Sequence, residues 1–233
     1  MKPEQFKTAR MNRGWSQNEA ARRLGVSQPY VVMLEKGKRP LTPALARKVM
    51  AVYHLSPAVL SVAETFVPEP TAAQRLAEQM ALLGYPGYAY LRPHVAKRNP
   101  GEVLLTALAQ NDLEARLVEA LPWLVLRYWE MDFAWVVEHA KKLDLQNRLG
   151  FVVSLARKVS EANPQNELRT RALAELESTL NRSRLAREDD FLRPTRNPVE
   201  REWMLQNRPE DARHWNLVTD LRPEHLGYDA STS

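Results

Sequence analysis

Two stretches with helical patterning are separated by only four residues, Gly25-Val26-Ser27-Gln28, and this junction leaves the first part of the chain very few ways to fold. A connection so short makes the two helices meet at a steep angle around a shared packing residue, here Val26. Before the junction, Ser16 and Glu19 have capping-box spacing, and Ala20, Ala21 and Leu24 supply the apolar stripe of a helix that Gly25 ends. After it, Ser27 is placed to cap the next helix, and Pro29 stands early enough that its missing N–H costs little. Val31 and Leu34 point one way on that helix and leave Gln28, Tyr30, Val32 and Met33 to the other side.

Further helices flank this pair. Phe6, Ala9 and the aliphatic stem of Arg10 recur at helical spacing between Pro3 and Asn12, and Gly14 stops the pattern. Gly37 terminates the third helix, and Lys38 and Arg39 follow at once, well placed to meet phosphate. Thr42 and Pro43 open a helix that reaches Tyr53, and Ser56-Pro57 opens a short fifth one. The expectation is a compact all-α unit of five short helices over residues 1–65.

Charge gives this unit a direction. Residues 1–67 hold eleven Lys and Arg against four acids, a net of +7, whereas the chain as a whole is only +5, so the remainder is slightly acidic. A basic balance concentrated in a small module suits a phosphate backbone, because each neutralised phosphate releases condensed counterions.

The text Trp15-Ser16-Gln17-Asn18-Glu19-Ala20-Ala21, then Leu24-Gly25-Val26-Ser27-Gln28, then Leu34-Glu35-Lys36-Gly37-Lys38-Arg39-Pro40 resembles the Xre/Cro/phage-repressor family of helix-turn-helix regulators over roughly residues 3–62. The resemblance implies that Gln17 meets a phosphate, that Gln28, Pro29 and Met33 face base edges, and that Arg10 and Glu35 form a buried ion pair tying the first helix to the third. The full set expected at DNA is Arg13, Ser16, Gln17, Ser27, Gln28, Pro29, Tyr30, Met33, Lys36, Lys38 and Arg39. Pro29 and Tyr30 depart from the family, which often has Gln or Ser there. Proline donates no hydrogen bond, so base readout falls to Gln28, which can bond adenine N6 and N7, and to apolar contacts of Tyr30 or Met33 with a thymine methyl. Blander roles stay open: Tyr30 could cover a sugar, Met33 could be partly core and Gln17 could simply start a helix.

Beyond the junction Phe66-Val67-Pro68-Glu69-Pro70, read as a linker over 66–70, the pattern is again helical, and a second domain is expected over 71–228. Thr71 caps a segment carrying Leu76, Met80 and Leu83, and residues 85–100 read as a loop. Five amphipathic helices then run from Gly101 to Arg184, with Pro122 expected to kink one and Asp132 to cap another. This suits a helical bundle or a HEAT-like stack. Residues 181–198 read as an exposed connector; Trp203, Leu205, Trp215 and Leu217 predict a tail that packs back as one or two helices; Asp229 to Ser233 read as a disordered end.

Nothing in the sequence announces catalysis: there is no His-Glu-x-x-His, no Gly-rich phosphate loop and no nucleophile elbow, so no catalytic residue, metal or cofactor is expected. Glu130, Asp132 and Glu138 are the best carboxylate trio, yet Asp132 has the look of a helix cap. Trp123, Trp129 and Trp135 read as core or interface. With no cysteine, no signal peptide and no apolar run of bilayer length, a soluble cytoplasmic protein without a membrane partner is expected.

These observations together predict a sequence-specific DNA-binding transcriptional regulator, a repressor, acting as a homodimer on a palindromic duplex operator, with the C-terminal domain dimerising it or binding an effector or partner. An alternative within the same class is an antitoxin that holds a toxin, since Asn147-Arg148-Leu149-Gly150-Phe151-Val152 resembles a stretch in the C-terminal domains of some abortive-infection antitoxins. A DNA-targeted helical enzyme such as a nuclease and a purely structural adaptor are the readings from other classes.

Overall fold

The computed structural model describes every residue except Lys2, Thr195, Arg196 and Gly227–Ser233, together with the side chain of Pro43. The expected disordered end at Asp229–Ser233 lies outside the described residues. The chain forms two units, Met1–Glu64 and Thr65–Ser233.

The first unit contains α1 (Pro3–Asn12), α2 (Gln17–Leu24), α3 (Gln28–Glu35) and α4 (Pro43–Tyr53). Where a fifth helix is expected there is a single 3-10 turn, Pro57–Val59, because the chain is already extended again at Leu60. Phe6, Ala20, Leu24, Val31, Leu34, Val49 and Tyr53 close the core, with Val26 packed against it at the turn as anticipated. Two caps fix the helix starts: Ser16 Oγ accepts the Glu19 N–H at 3.1 Å, and Thr42 Oγ1 accepts that of Leu45 at 3.3 Å. Gly25 takes φ +65° to end α2, a conformation that a side chain would strain. Tyr53 stacks on Phe6 with centroids 5.6 Å apart and meets Trp15 edge-on at 5.2 Å. Its hydroxyl is buried without a hydrogen-bond partner among the described residues, and burial, assisted by the Glu35 charge, lifts the phenol to about 12.

The second unit contains α5 (Ala73–Leu83), α6 (Pro100–Leu108), α7 (Ala115–Arg127), α8 (Phe133–Lys142), α9 (Gln146–Glu161) and α10 (Glu167–Asn181). They are followed by β1 (Asp189–Asp190), α11 (Pro198–Asn207), α12 (Glu210–His214) and β2 (Leu217–Val218). The architecture is all-α apart from the two-residue parallel pairing of β1 with β2. At its centre lies α9, in which every residue from Gln146 to Ala156 is buried; a helix enclosed on all sides must be apolar or fully bonded all round. Its neighbours satisfy the polar positions. Arg148 donates to Asp189 at 2.8 Å and to the carbonyls of Leu108 and Gln110, both at 2.9 Å, while Asn147 exchanges two hydrogen bonds with the Leu185 backbone. The Trp215 indole donates to Ser154 Oγ at 2.8 Å and lies flat over Gly150, where any Cβ would overlap its ring.

Several sequence expectations change here. Phe66 begins no free linker: it is buried against Trp135 and His139, and Glu69 and Thr71 are tied to Gln110, so residues 66–71 are laid onto the second unit. Thr71 does not cap α5, because its hydroxyl turns back to the Glu69 carbonyl. Residues 181–198 are not simply an exposed connector, since Phe191 and Leu192 are buried and Phe191 meets Phe151 edge-on at 4.9 Å. In the tail α11 and α12 do form and Trp215 is fully buried, but Trp203 stays 55% exposed. Pro122 sits within α7, an unbroken helix from 115 to 127. Asp132 caps α8 through the Trp135 N–H, and Glu138 pairs with Lys142 at 2.5 Å, so two members of the carboxylate trio are already engaged.

Candidate nucleic-acid interface

The geometry of the α2–α3 pair follows from a chain of side-chain bonds that begins in the interior and ends at the surface. Arg10 on α1 donates to Glu35 on α3 at 2.6 and 3.3 Å and to the Trp15 carbonyl at 2.6 Å. The pair is deeply set, with side chains 12% and 4% exposed. Burial pushes the Glu35 carboxyl up, but hydrogen bonds from Arg10 and Gln17 outweigh it and hold the group below the usual carboxylate range. Gln17 Nε2 donates to Glu35 Oε2 at 2.9 Å, and Gln28 Nε2 donates to Gln17 Oε1 at 3.0 Å. The amide of Gln28, at the first position of α3, is thereby held in place. It keeps one N–H and its carbonyl oxygen for an outside partner, which is the donor and acceptor pair that an adenine edge requires.

The other residues singled out in the sequence fall into three groups. Ser27, Pro29, Lys36, Lys38 and Arg39 are exposed, and the three cations make no ion pair among the described residues. Ser27 occupies the cap position of α3, but its hydroxyl bonds to no helix N–H and is left for another partner. Tyr30 and Met33 are half-buried; Tyr30 packs in part against the core, and Met33 lies outside that cluster. Ser16 and Arg13 are engaged at home, Ser16 as the cap of α2 and Arg13 through two bonds to the Tyr53 carbonyl at 3.1 and 2.7 Å, where its charge caps the carboxyl end of α4.

Sequence reasoning passed over Lys48. Its ammonium sits at the turn after α2, 2.9 Å from where a Gly25 Cβ would stand, and brings a cation from α4 to the α2–α3 junction. No sequence signal announces it, because α4 contributes it across the fold. Arg23, also passed over, lies 4.3 Å above the Trp15 ring and pairs with Glu19 at 2.7 Å.

A small basic unit with two helices joined by a tight turn, the second of them presenting a fixed amide between exposed cations, is suited to entering a major groove. The Helix-turn-helix family model matches residues 6–60 of the 233. No curated protein and no solved structure matches the chain. No helix among the described residues is long and apolar enough to cross a membrane, and no group of His, Asp or Glu among them could hold a metal ion. The first unit is thus an Xre/Cro-type helix-turn-helix, the DNA-binding module of a transcriptional regulator.

Proposed function

We propose that the protein is a sequence-specific repressor that binds a two-fold symmetric duplex operator as a homodimer in the cytoplasm, with the C-terminal unit pairing the copies and binding an effector. The observation that carries this is the bonded series Arg10–Glu35–Gln17–Gln28, which holds the reading amide ready before DNA arrives. Gln28 and Met33 face base edges; Gln17, Ser27, Lys36, Lys38 and Arg39 meet the backbone; Pro29 and Tyr30 shape the contact. Arg13 and the Ser16 hydroxyl serve the fold. A single small module buries too little surface for tight specific binding, so two half-sites about one helical turn apart are expected.

The antitoxin reading is not carried forward, because the stretch Asn147–Val152 that suggested it is interior from end to end and offers no surface to a partner. The test is selection from a random duplex pool by the full-length protein. Enrichment of a palindrome whose half-sites lie about 10 base pairs apart is expected; a pool that stays random would sink specific binding.

A further inference from the structure

The second unit contains a cavity of about 340 Å3 between the first turns of α7, the chain after β1, α11 and the segment that follows β2. Its floor is apolar, made by Val118, Phe191, Val218 and Leu221, all of them buried. Thr219 lines it, is 8% exposed, and accepts the Leu221 N–H at 3.2 Å, while its own proton is bonded to nothing among the described residues. The charged and titratable groups on its walls are Arg193, Glu119, Glu200, Asp220 and His225. Such a size and lining, apolar with a few converging polar groups, suit a small molecule.

The charges on these walls indicate what kind of molecule. Elsewhere in the same region carboxylates and guanidinium groups find each other: Arg201 pairs with Glu188 and Asp190, and Arg208 with Glu188. Around the cavity, Arg193, Glu200 and Asp220 make no ion pair with one another or with any other described residue. A ligand carrying a carboxylate and an ammonium a few ångströms apart would serve Arg193 with one and Asp220 or Glu200 with the other, and would lay an apolar group on the floor.

We infer that this cavity is the effector site and that its ligand is a free α-amino acid with an apolar side chain. The inference deepens the reading of the second unit as effector-binding and rests on it. Glu200 and Met204 belong to α11, a helix none of whose residues is buried and which is held in place by the ion pairs of Arg201 and Arg208. An occupant therefore touches a helix with no buried residue, a suitable element for passing occupancy on.

The test is calorimetric titration of the full-length, DNA-free protein with L-leucine and with L-phenylalanine, and then with leucinamide, N-acetyl-leucine and putrescine. Saturable binding of at least one amino acid is expected, weakened about tenfold or more when either of its charges is removed, and likewise by Arg193→Gln or Asp220→Asn. Both substitutions are on exposed residues and should leave far-UV circular dichroism unchanged. Met204→Trp, which fills the cavity, should abolish binding. No heat with either amino acid, equal affinity in the Arg193 and Asp220 variants, or binding of putrescine alone would overturn the site. Since DNA is absent, this result is separable from operator selection: amino-acid binding with no operator enrichment removes the regulator and keeps the site, and the reverse removes only the site.

Discussion

Arg10 and Arg148 each reach a carboxylate far along the chain, Glu35 and Asp189, at 2.6 and 2.8 Å. The two pairs differ in what lies beyond them. From Glu35 the bonding continues outward through Gln17 to Gln28, so an interior charge pair ends at the face proposed to meet DNA. From Arg148 it runs to the carbonyls of Leu108 and Gln110, at and just after the end of α6, and so ties α9 to neighbouring segments of the same unit. The same chemistry positions the proposed reading group in one unit and fastens helices to one another in the other. Buried arginine pairs therefore have to be judged by the atoms their bonds lead to.

The largest effect should come from Arg148→Ala. It strips hydrogen bonds from the buried Leu108 carbonyl and the part-buried Gln110 carbonyl and cuts α9 from β1, at a cost of about 3–5 kcal/mol, while operator contacts are untouched. Chemical unfolding followed by tryptophan fluorescence reports it, since five of the six tryptophans belong to the second unit. An effect below about 1 kcal/mol would mean that the network adds little to packing.

Next in size, Glu35→Leu should cost about 3 kcal/mol, because Arg10 is left buried without its partner, and should also lower operator affinity by releasing Gln17 and Gln28. The linkage sign follows from the depressed carboxyl. Its contribution is complete above the ordinary value of 4.5 and is lost as the pH falls below that, through the folded value. Acid should therefore weaken the first unit as the pH falls below the ordinary value of 4.5, and this slope should shrink in the Glu35→Leu protein. Loss of stability with operator affinity intact would cut the proposed link between the ion pair and the reading face.

Gln28→Ala should cost about 1–3 kcal/mol on the selected operator, relax the preference at one base pair and leave unfolding unchanged. Arg39→Ala should weaken every duplex alike and reduce the salt slope by about one ion. Equal losses on operator and random DNA for both variants would exclude readout by Gln28. Smallest of all, Tyr53→Phe should change stability by less than about 1 kcal/mol and in the stabilising direction, because it removes a buried hydroxyl that bonds to nothing.

The two units also differ in how much of them can be read from sequence, for a physical reason. In the first, the boundaries of α2 are set by neighbours in the chain: Ser16 caps α2 three residues on, Gly25 turns left-handed to end it, and Val26 packs at the turn. Such signals survive translation into letters. The Arg10–Glu35 pair is accessible only through family likeness, and the Gln17–Gln28 bond and Lys48 not at all, the latter because α4 delivers it from elsewhere in the fold. In the second unit the decisive contacts are remote. Phe191 and Leu192 lie in a charged run that looks solvated, and they become core because Asp189 and Asp190 pair with Leu217 and Val218 and because Arg148 reaches Asp189. Trp203 and Trp215 look alike in sequence, but only Trp215 finds a glycine opposite its ring and a hydroxyl for its indole N–H. The cavity is likewise invisible beforehand, as its walls come from four separate stretches.

The seating of Trp215 over Gly150 has a consequence for synthesis. The indole and the serine that receives its N–H are 61 positions apart, so the central helix has no finished surroundings until most of the second unit has left the ribosome. The helix-turn-helix, whose core is built from residues between Phe6 and Tyr53, can fold as soon as it emerges. On each nascent chain a DNA-competent head is thus made well before the part proposed to govern it.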